Sequence, residues 1–179
     1  MEVCRKEWPL KRLLILVAVL MVGVGGARAQ AGLYAGFGAS DFHVPNVDWQ
    51  YGPVFGVYYQ PWGAPLLRAG VDVRASLLGS GTNKVDSSLV GPRVQIHPHV
   101  VPLMPYAEIL LGGGHVKVGQ GSAAIDKTGI EYQVAGGLDM TIFPRLDWRI
   151  AEYSWGSVQN VGTSVKPGTV TTGLVLRLP

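Results

Sequence analysis

Ten charged residues stand singly among apolar neighbours: Arg68, Asp72, Arg74, Arg93, Glu108, Glu131, Asp139, Arg149, Glu152 and Arg177. Half are guanidiniums and half are carboxylates. Charges sharing a dry interior must pair, because removing one partner of a buried pair costs about 3–5 kcal/mol. Gathered together, this set could form a gated ion path or a structural plug of ion pairs. Other chemistry has less support. His97-Pro98-His99 puts two imidazoles on one face of an extended chain, a spacing zinc could use beside a carboxylate. The pair abuts a proline-rich turn, so it reads as polar turn histidines. His43, His97, His99 and His115 are followed two residues on by Pro45, His99, Val101 and Lys117, so no His-x-Ser pair occurs and Ser/His hydrolysis is unsupported. Gly36-Phe37-Gly38 and the Gly112-Gly113-Gly114 triplet lack the strand–turn–helix setting of a nucleotide fingerprint. No catalytic residue, cofactor or metal ligand is assigned.

The charges are positioned by an alternation of period two, clearest over residues 129–142. Ile130, Tyr132, Val134, Gly136, Leu138, Met140 and Ile142 form one face, and Glu131, Gln133, Ala135, Gly137, Asp139 and Thr141 the other. The run exceeds a usual strand of about 5–6 residues and suits a bilayer-crossing strand of about 9–11. The same pattern recurs at about Leu33–Ser40, Trp49–Tyr59, Leu66–Leu77, Val90–His97, Tyr106–Val118, Leu146–Trp155 and Val170–Leu178. The expectation is an all-β fold, an eight-stranded antiparallel up-and-down transmembrane β-barrel with charges inward. Its interior is just filled by side chains, which favours the ion-pair plug over the channel.

Local irregularities carry expectations of their own. Pro53 cannot donate a ladder hydrogen bond, and Gly112-Gly113-Gly114 interrupts the fifth strand, so each suggests a bulge or, for the glycines, close packing. Trp148 and Ile150 point outward, yet Tyr153 and Trp155 must as well, which demands a bulge near Ile150-Ala151. Asp139 lies five residues before Pro144 and Arg149 five after it, so a hairpin closed there sets them side by side. The first, third, fifth and seventh breaks read as long loops, including 41–48, 79–86 and 156–168; the second, fourth and sixth read as shorter, proline-containing turns. Trp49, Tyr59, Trp62, Trp148, Tyr153 and Trp155, with Tyr106 and Phe143, cluster near strand ends as an aromatic girdle.

The N-terminus is of a different kind. Arg5, Lys6, Lys11 and Arg12 precede an apolar run from Leu13 to Val24, then Ala27-Arg28-Ala29. That order describes a secretory signal peptide over 1–29, cleaved to leave a barrel domain over 30–179. Residues 1–29 hold five of the 15 basic and two of the 12 acidic residues, so the remainder is balanced at ten each. The basic pI therefore belongs to the signal, and no nucleic-acid partner is expected. The single cysteine, Cys4, is removed with it, leaving no disulfide to stabilise an exported chain; a closed hydrogen-bonded barrel does so instead.

Tyr106-Ala-Glu-Ile-Leu-Leu-Gly-Gly-Gly, Gly136-Gly-Leu-Asp-Met and Arg145-Leu-Asp-Trp-Arg-Ile-Ala-Glu-Tyr resemble strands five to seven of small outer-membrane barrels, of the outer-membrane protein A transmembrane-domain and opacity type. The resemblance implies inner charges paired across the lumen, here Glu108, Asp139, Arg149 and Glu152, and as partners outer-membrane lipid and the assembly machinery. Two departures stand out: no peptidoglycan-binding domain follows, and Arg177-Leu178-Pro179 stands where the family usually ends in an aromatic residue. The expected role is non-enzymatic: structural, adhesive or surface-interacting, with an unidentified surface ligand, in the cell outer membrane. The alternatives are a narrow ion or small-solute porin, or a soluble periplasmic lipocalin-like binding barrel. The last would need Arg68, Asp72 and Arg74 outside and the apolar set inside.

Overall fold

The computed structural model describes residues 30–41, 49–81, 83–98, 100–118, 125–159 and 166–178. The expected signal peptide and His99 lie outside the described residues. Eight strands follow in order: β1 (Gln30–Asp41), β2 (Gln50–Gly63), β3 (Leu67–Ser80), β4 (Asn83–Ile96), β5 (Leu103–Val118), β6 (Ile125–Phe143), β7 (Leu146–Gln159) and β8 (Gly168–Leu178). Each pairs antiparallel with the next, and β1 pairs with β8 from Ala31↔Leu178 to Asp41↔Gly168, which closes the barrel. Closure satisfies the backbone of both terminal strands, a requirement in lipid, where an open sheet edge has no water to bond.

The alternation sorts side chains as the sequence predicts. Leu33, Phe55, Val71, Val90, Val134 and Leu174 are exposed on the outer face, while Tyr34, Val54, Asp72, Arg93, Gln133 and Thr171 are buried in the lumen. An apolar outside and a polar inside reverse the order a soluble lipocalin-like barrel needs, so that alternative falls. This is a membrane barrel. Its strands run from 11 residues (β8) to 19 (β6), beyond the about 9–11 a bilayer requires, so several continue past the apolar band.

That extra length corrects several expected loops. The segment 79–86 is no loop: β3 and β4 stay paired to Ser80↔Asn83, and the chain reverses at Gly81, whose φ of +60° suits glycine. The fourth break, 97–102, is longer than this third one, so the regular long–short alternation fails there. Gln60-Pro61-Trp62 belongs to β2 rather than to a turn, with a register shift between Tyr59 and Trp62. The glycine triplet holds no bulge, since β5 pairs with β6 in one unbroken register from Leu103↔Met140 to Val118↔Ile125. It is a place of close packing: a Cβ on Gly112 would strike the Ser88 carbonyl, and one on Gly114 the Glu131 carboxylate.

Pro53 causes no bulge either. It pairs in register with Phe37 on β1, and the β2–β3 pairs on either side, Tyr51↔Gly79 and Val54↔Ser76, keep one register. The missing donor falls within that gap. Pro92 repeats the arrangement between Val90↔Leu111 and Arg93↔Glu108. Each proline follows a glycine whose absent Cβ faces a neighbouring carbonyl, Leu77 O for Gly52 and Ile109 O for Gly91. The expected bulge near Ile150 is present. Leu138 faces Ala151 while Asp139 faces Arg149, so Ile150 is the extra residue, and the β7–β8 register shifts between Arg149 and Glu152.

Val134 lies on the outer face of β6, opposite Ile109 and Trp155. Val134→Arg should destabilise the barrel by about 2–4 kcal/mol if the site sits at the bilayer midplane. Denaturant unfolding in lipid vesicles would measure this, and wild-type stability in the variant would mean that Val134 does not face lipid.

Candidate functional site

Seven of the ten expected charges meet at one level of the lumen. Arg74 (β3) reaches Glu108 (β5) at 2.8 Å and Glu152 (β7) at 2.7 Å. Arg93 (β4) bonds Glu108 and lies 3.0 Å from Asp139 (β6) and 3.8 Å from Asp72 (β3). Arg149 (β7) reaches Asp139 at 3.1 Å and Glu152 at 3.0 Å. The Asp139–Arg149 contact lies across the hairpin where counting from Pro144 puts it. All seven residues are at most 4% exposed.

Three tyrosines complete this layer. Arg93 stacks on Tyr58 (4.5 Å to the ring centroid) and on Tyr106 (3.8 Å). Arg149 stacks on Tyr106 (4.7 Å) and Tyr34 (4.2 Å). Tyr34 donates to Asp72 Oδ1 at 2.7 Å, and Tyr106 donates to Glu152 Oε2 at 2.5 Å. Arg93 and Arg149 therefore each have carboxylates within reach and two aromatic rings against the guanidinium, the two kinds of contact a planar cation makes best. Tyr106 does not belong to the outer aromatics; it is 5% exposed, inside the lumen.

The role of these tyrosines escapes a reading of single strands, although Tyr34 and Tyr58 fall on inner positions. The signal lies across strands. Tyr34 faces Gly56, Tyr58 faces Gly32, and Tyr106 faces Gly137. A Cβ on Gly32 would come within 2.5 Å of the Tyr58 ring, one on Gly56 within 2.5 Å of the Tyr34 hydroxyl, and one on Gly137 would meet the Tyr106 hydroxyl. Each ring lies flat over the space a side chain would take.

The other three expected charges stand apart. Glu131 is buried toward the loop end and is held by Ser87 (2.5 Å) and Gln133 (2.7 Å), not by a cation among the described residues. Arg177 pairs with Asp147 (3.0 Å) at the turn end, and Arg68 bonds Gln30 there. The lumen on the loop side of Arg74 narrows to a cavity of ≈ 20 Å³, lined by Ser40, Ser76, Ser87, Glu131 and Thr169 among others, space for about one water. On the outer face, Trp148 and Trp62 lie toward the turns and Trp49 and Trp155 toward the loops, all exposed; Tyr59 is half-buried beside Trp62. Tyr153 stands between the two groups, opposite Gly136 and Val170. His97 follows β4 at the turn end; its pairing with His99 lies outside the described residues.

Asp139→Asn and Arg149→Met should each destabilise the refolded barrel, by up to about 3–5 kcal/mol, and the double variant by less than their sum. A double-mutant cycle in detergent measures this. Strictly additive losses would show that the pair does not interact.

No family model matches the sequence, and no curated protein matches it. Solved structures do. The attachment invasion locus protein Ail of Yersinia pestis aligns with 85% of this chain and 100% of its own at 13% identity and a TM-score of 0.63. Neisserial surface protein A aligns with 86% of this chain and 99% of its own at 17% identity and a TM-score of 0.57. The N-terminal barrel domain of Pseudomonas aeruginosa OprF aligns with 86% of this chain and 100% of its own at 10% identity and a TM-score of 0.54. At these identities the likeness concerns the fold: eight antiparallel strands closed on a charged lumen within an apolar wall give this chain the architecture of the small outer-membrane β-barrels.

Proposed function

We propose that the chain is an integral outer-membrane barrel without enzymatic activity, closed by its lumenal ion pairs, with a structural, adhesive or surface-interacting role. The observation that carries this reading is the buried Arg74–Arg93–Arg149 cluster with its four carboxylates, which crosses the lumen at 0–4% exposure. A lumen of eight strands is just wide enough to be filled, and here charge pairing fills it. An aqueous pore is then not the working part. The surface available for function is the loop end, where breaks 42–49 and 160–167 connect β1 to β2 and β7 to β8. Ail, with a heparin analogue in one of its structures, has the same fold and supports a surface-interacting role for barrels of this size.

In this reading residues 1–29 are a cleaved signal, the assembly machinery inserts the barrel, and lipid surrounds it. Mass spectrometry of the envelope-extracted protein should then find a chain beginning at Gln30, released only by detergent. A chain retaining residues 1–29, or one freed by osmotic shock, would contradict export to the outer membrane.

Conductance separates the closed barrel from the narrow-porin alternative. Planar bilayers should show little steady current after insertion. Large, long-lived openings in most insertions would put the conduit first.

A further inference from the structure

The turn-end mouth of the lumen holds donors that neither the central cluster nor the apolar wall uses. An open cup of ≈ 400 Å³ lies there, lined by His97 at the end of β4, Thr141 of β6, Arg177 of β8, and the apolar Pro102 and Met104. Both His97 ring nitrogens are buried without a hydrogen-bond partner. Arg177 Nη2 forms an ion pair with Asp147 Oδ1 at 3.0 Å and donates to Thr141 Oγ1 (3.3 Å), while Arg177 Nε and Asp147 Oδ1 make no hydrogen bond. The lining thus leaves over one charged donor, Arg177 Nε, beside an imidazole that offers a second donor from one nitrogen in its neutral form and from both when protonated. Its charge is unequal in the same sense. Arg177 and Arg68 approach His97 from β8 and β3, and Arg93 from deeper in β4. Of the carboxylates on the facing strands, Asp147 of β7 is bound to Arg177, and Asp139 of β6 is engaged by Arg93 and Arg149. A cation entering the cup would meet guanidiniums, and a neutral solute could accept from Arg177 Nε but would leave the excess positive charge uncompensated. An oxyanion answers both conditions, since its several oxygens can accept from Arg177 Nε and from the imidazole together.

We propose that this cup binds a small tetrahedral oxyanion of the phosphate class, held by Arg177 and His97. Protonation follows from the same geometry. Burial, then Arg68, Arg177 and Arg93, hold the His97 imidazole down at about 4, with Asp139 pulling the other way. An anion beside the ring offsets the guanidiniums and favours the imidazolium, so it raises the His97 midpoint. By linkage, binding strengthens as pH falls toward that midpoint.

The test follows the His97 ring by NMR in the full chain, reconstituted in zwitterionic phosphocholine nanodiscs. Inorganic phosphate is added at neutral pH with ionic strength held by chloride. A pH series uses sulfate, whose charge is constant over the range. A saturable shift of the His97 signals is expected, with no matching change at His115 near the loop end, and sulfate should raise the His97 midpoint. Arg177→Met should weaken binding at least about tenfold, the loss of one charge-assisted hydrogen bond, and Arg177→Lys by less. If Arg177→Met does not fold, His97→Gln takes its place, read at the Arg177 Nε signal. A second arm replaces part of the lipid with phosphatidylglycerol and omits phosphate; a response in that arm alone would assign the same phosphate chemistry to a headgroup. No response in either arm overturns the proposal. So does a response that fails to saturate or is equal in Arg177→Met, the mark of an adventitious ion only.

Discussion

Burying three guanidiniums inside a lipid-facing shell is the constraint on which the rest of this barrel depends. The outer wall must be apolar, so every charge within the band has to point inward. The lumen of eight strands is narrow enough that such charges meet. Having met, they must be matched nearly completely, because the interior screens them poorly. Arginine suits that task better than lysine, with five donors in one plane and a weakly hydrated face that accepts an aromatic ring. The distribution agrees: among the described side chains the lumenal cations are Arg68, Arg74, Arg93, Arg149 and Arg177, while Lys84 and Lys117 lie opposite each other near the loop end of β4 and β5.

Volume is the second constraint, and it explains residues with no chemistry of their own. Arg93 fits between Tyr58 and Tyr106 only because Gly32 and Gly137 leave room for the two rings. Gly52 and Gly91 serve a different need. Each precedes a proline and lets the adjacent strand draw near where one ladder donor is missing. The Ile150 bulge is of the same order of importance. Without the extra residue, Arg149 and Glu152 could not both point inward on one strand, and Arg149 would lose a partner 3.0 Å away.

The fold and its two faces were legible in the chain because a strand's period of two is a local property, and the solvent on each side leaves its mark on every second residue. Alternation placed the bulge near Ile150, and counting from the turn set Asp139 beside Arg149, since hairpin pairing follows distance from the turn until a bulge shifts it. Where such local rules stop, the expectations stop too. Residues 79–86 are rich in glycine and polar side chains and so read as a loop, yet β3 and β4 carry their pairing to Ser80↔Asn83. Turn-type composition shows that a segment tolerates water; it does not show that the backbone leaves the ladder.

The sequence by itself determined the number of strands, which residues face lipid, which charges face inward, and that those charges must find polar partners. Each follows from alternation within one strand and from the cost of an unmatched charge. Only the tertiary structure decided the partners. Barrel closure and strand stagger set which inward residues share a level, and these are properties of all eight registers together. For that reason Glu131, alike in sequence to Glu108, ends beside Ser87 and Gln133 rather than beside an arginine. For the same reason Tyr106, near a strand end and thus a candidate for the outer belt, stands between two guanidiniums at the centre of the lumen.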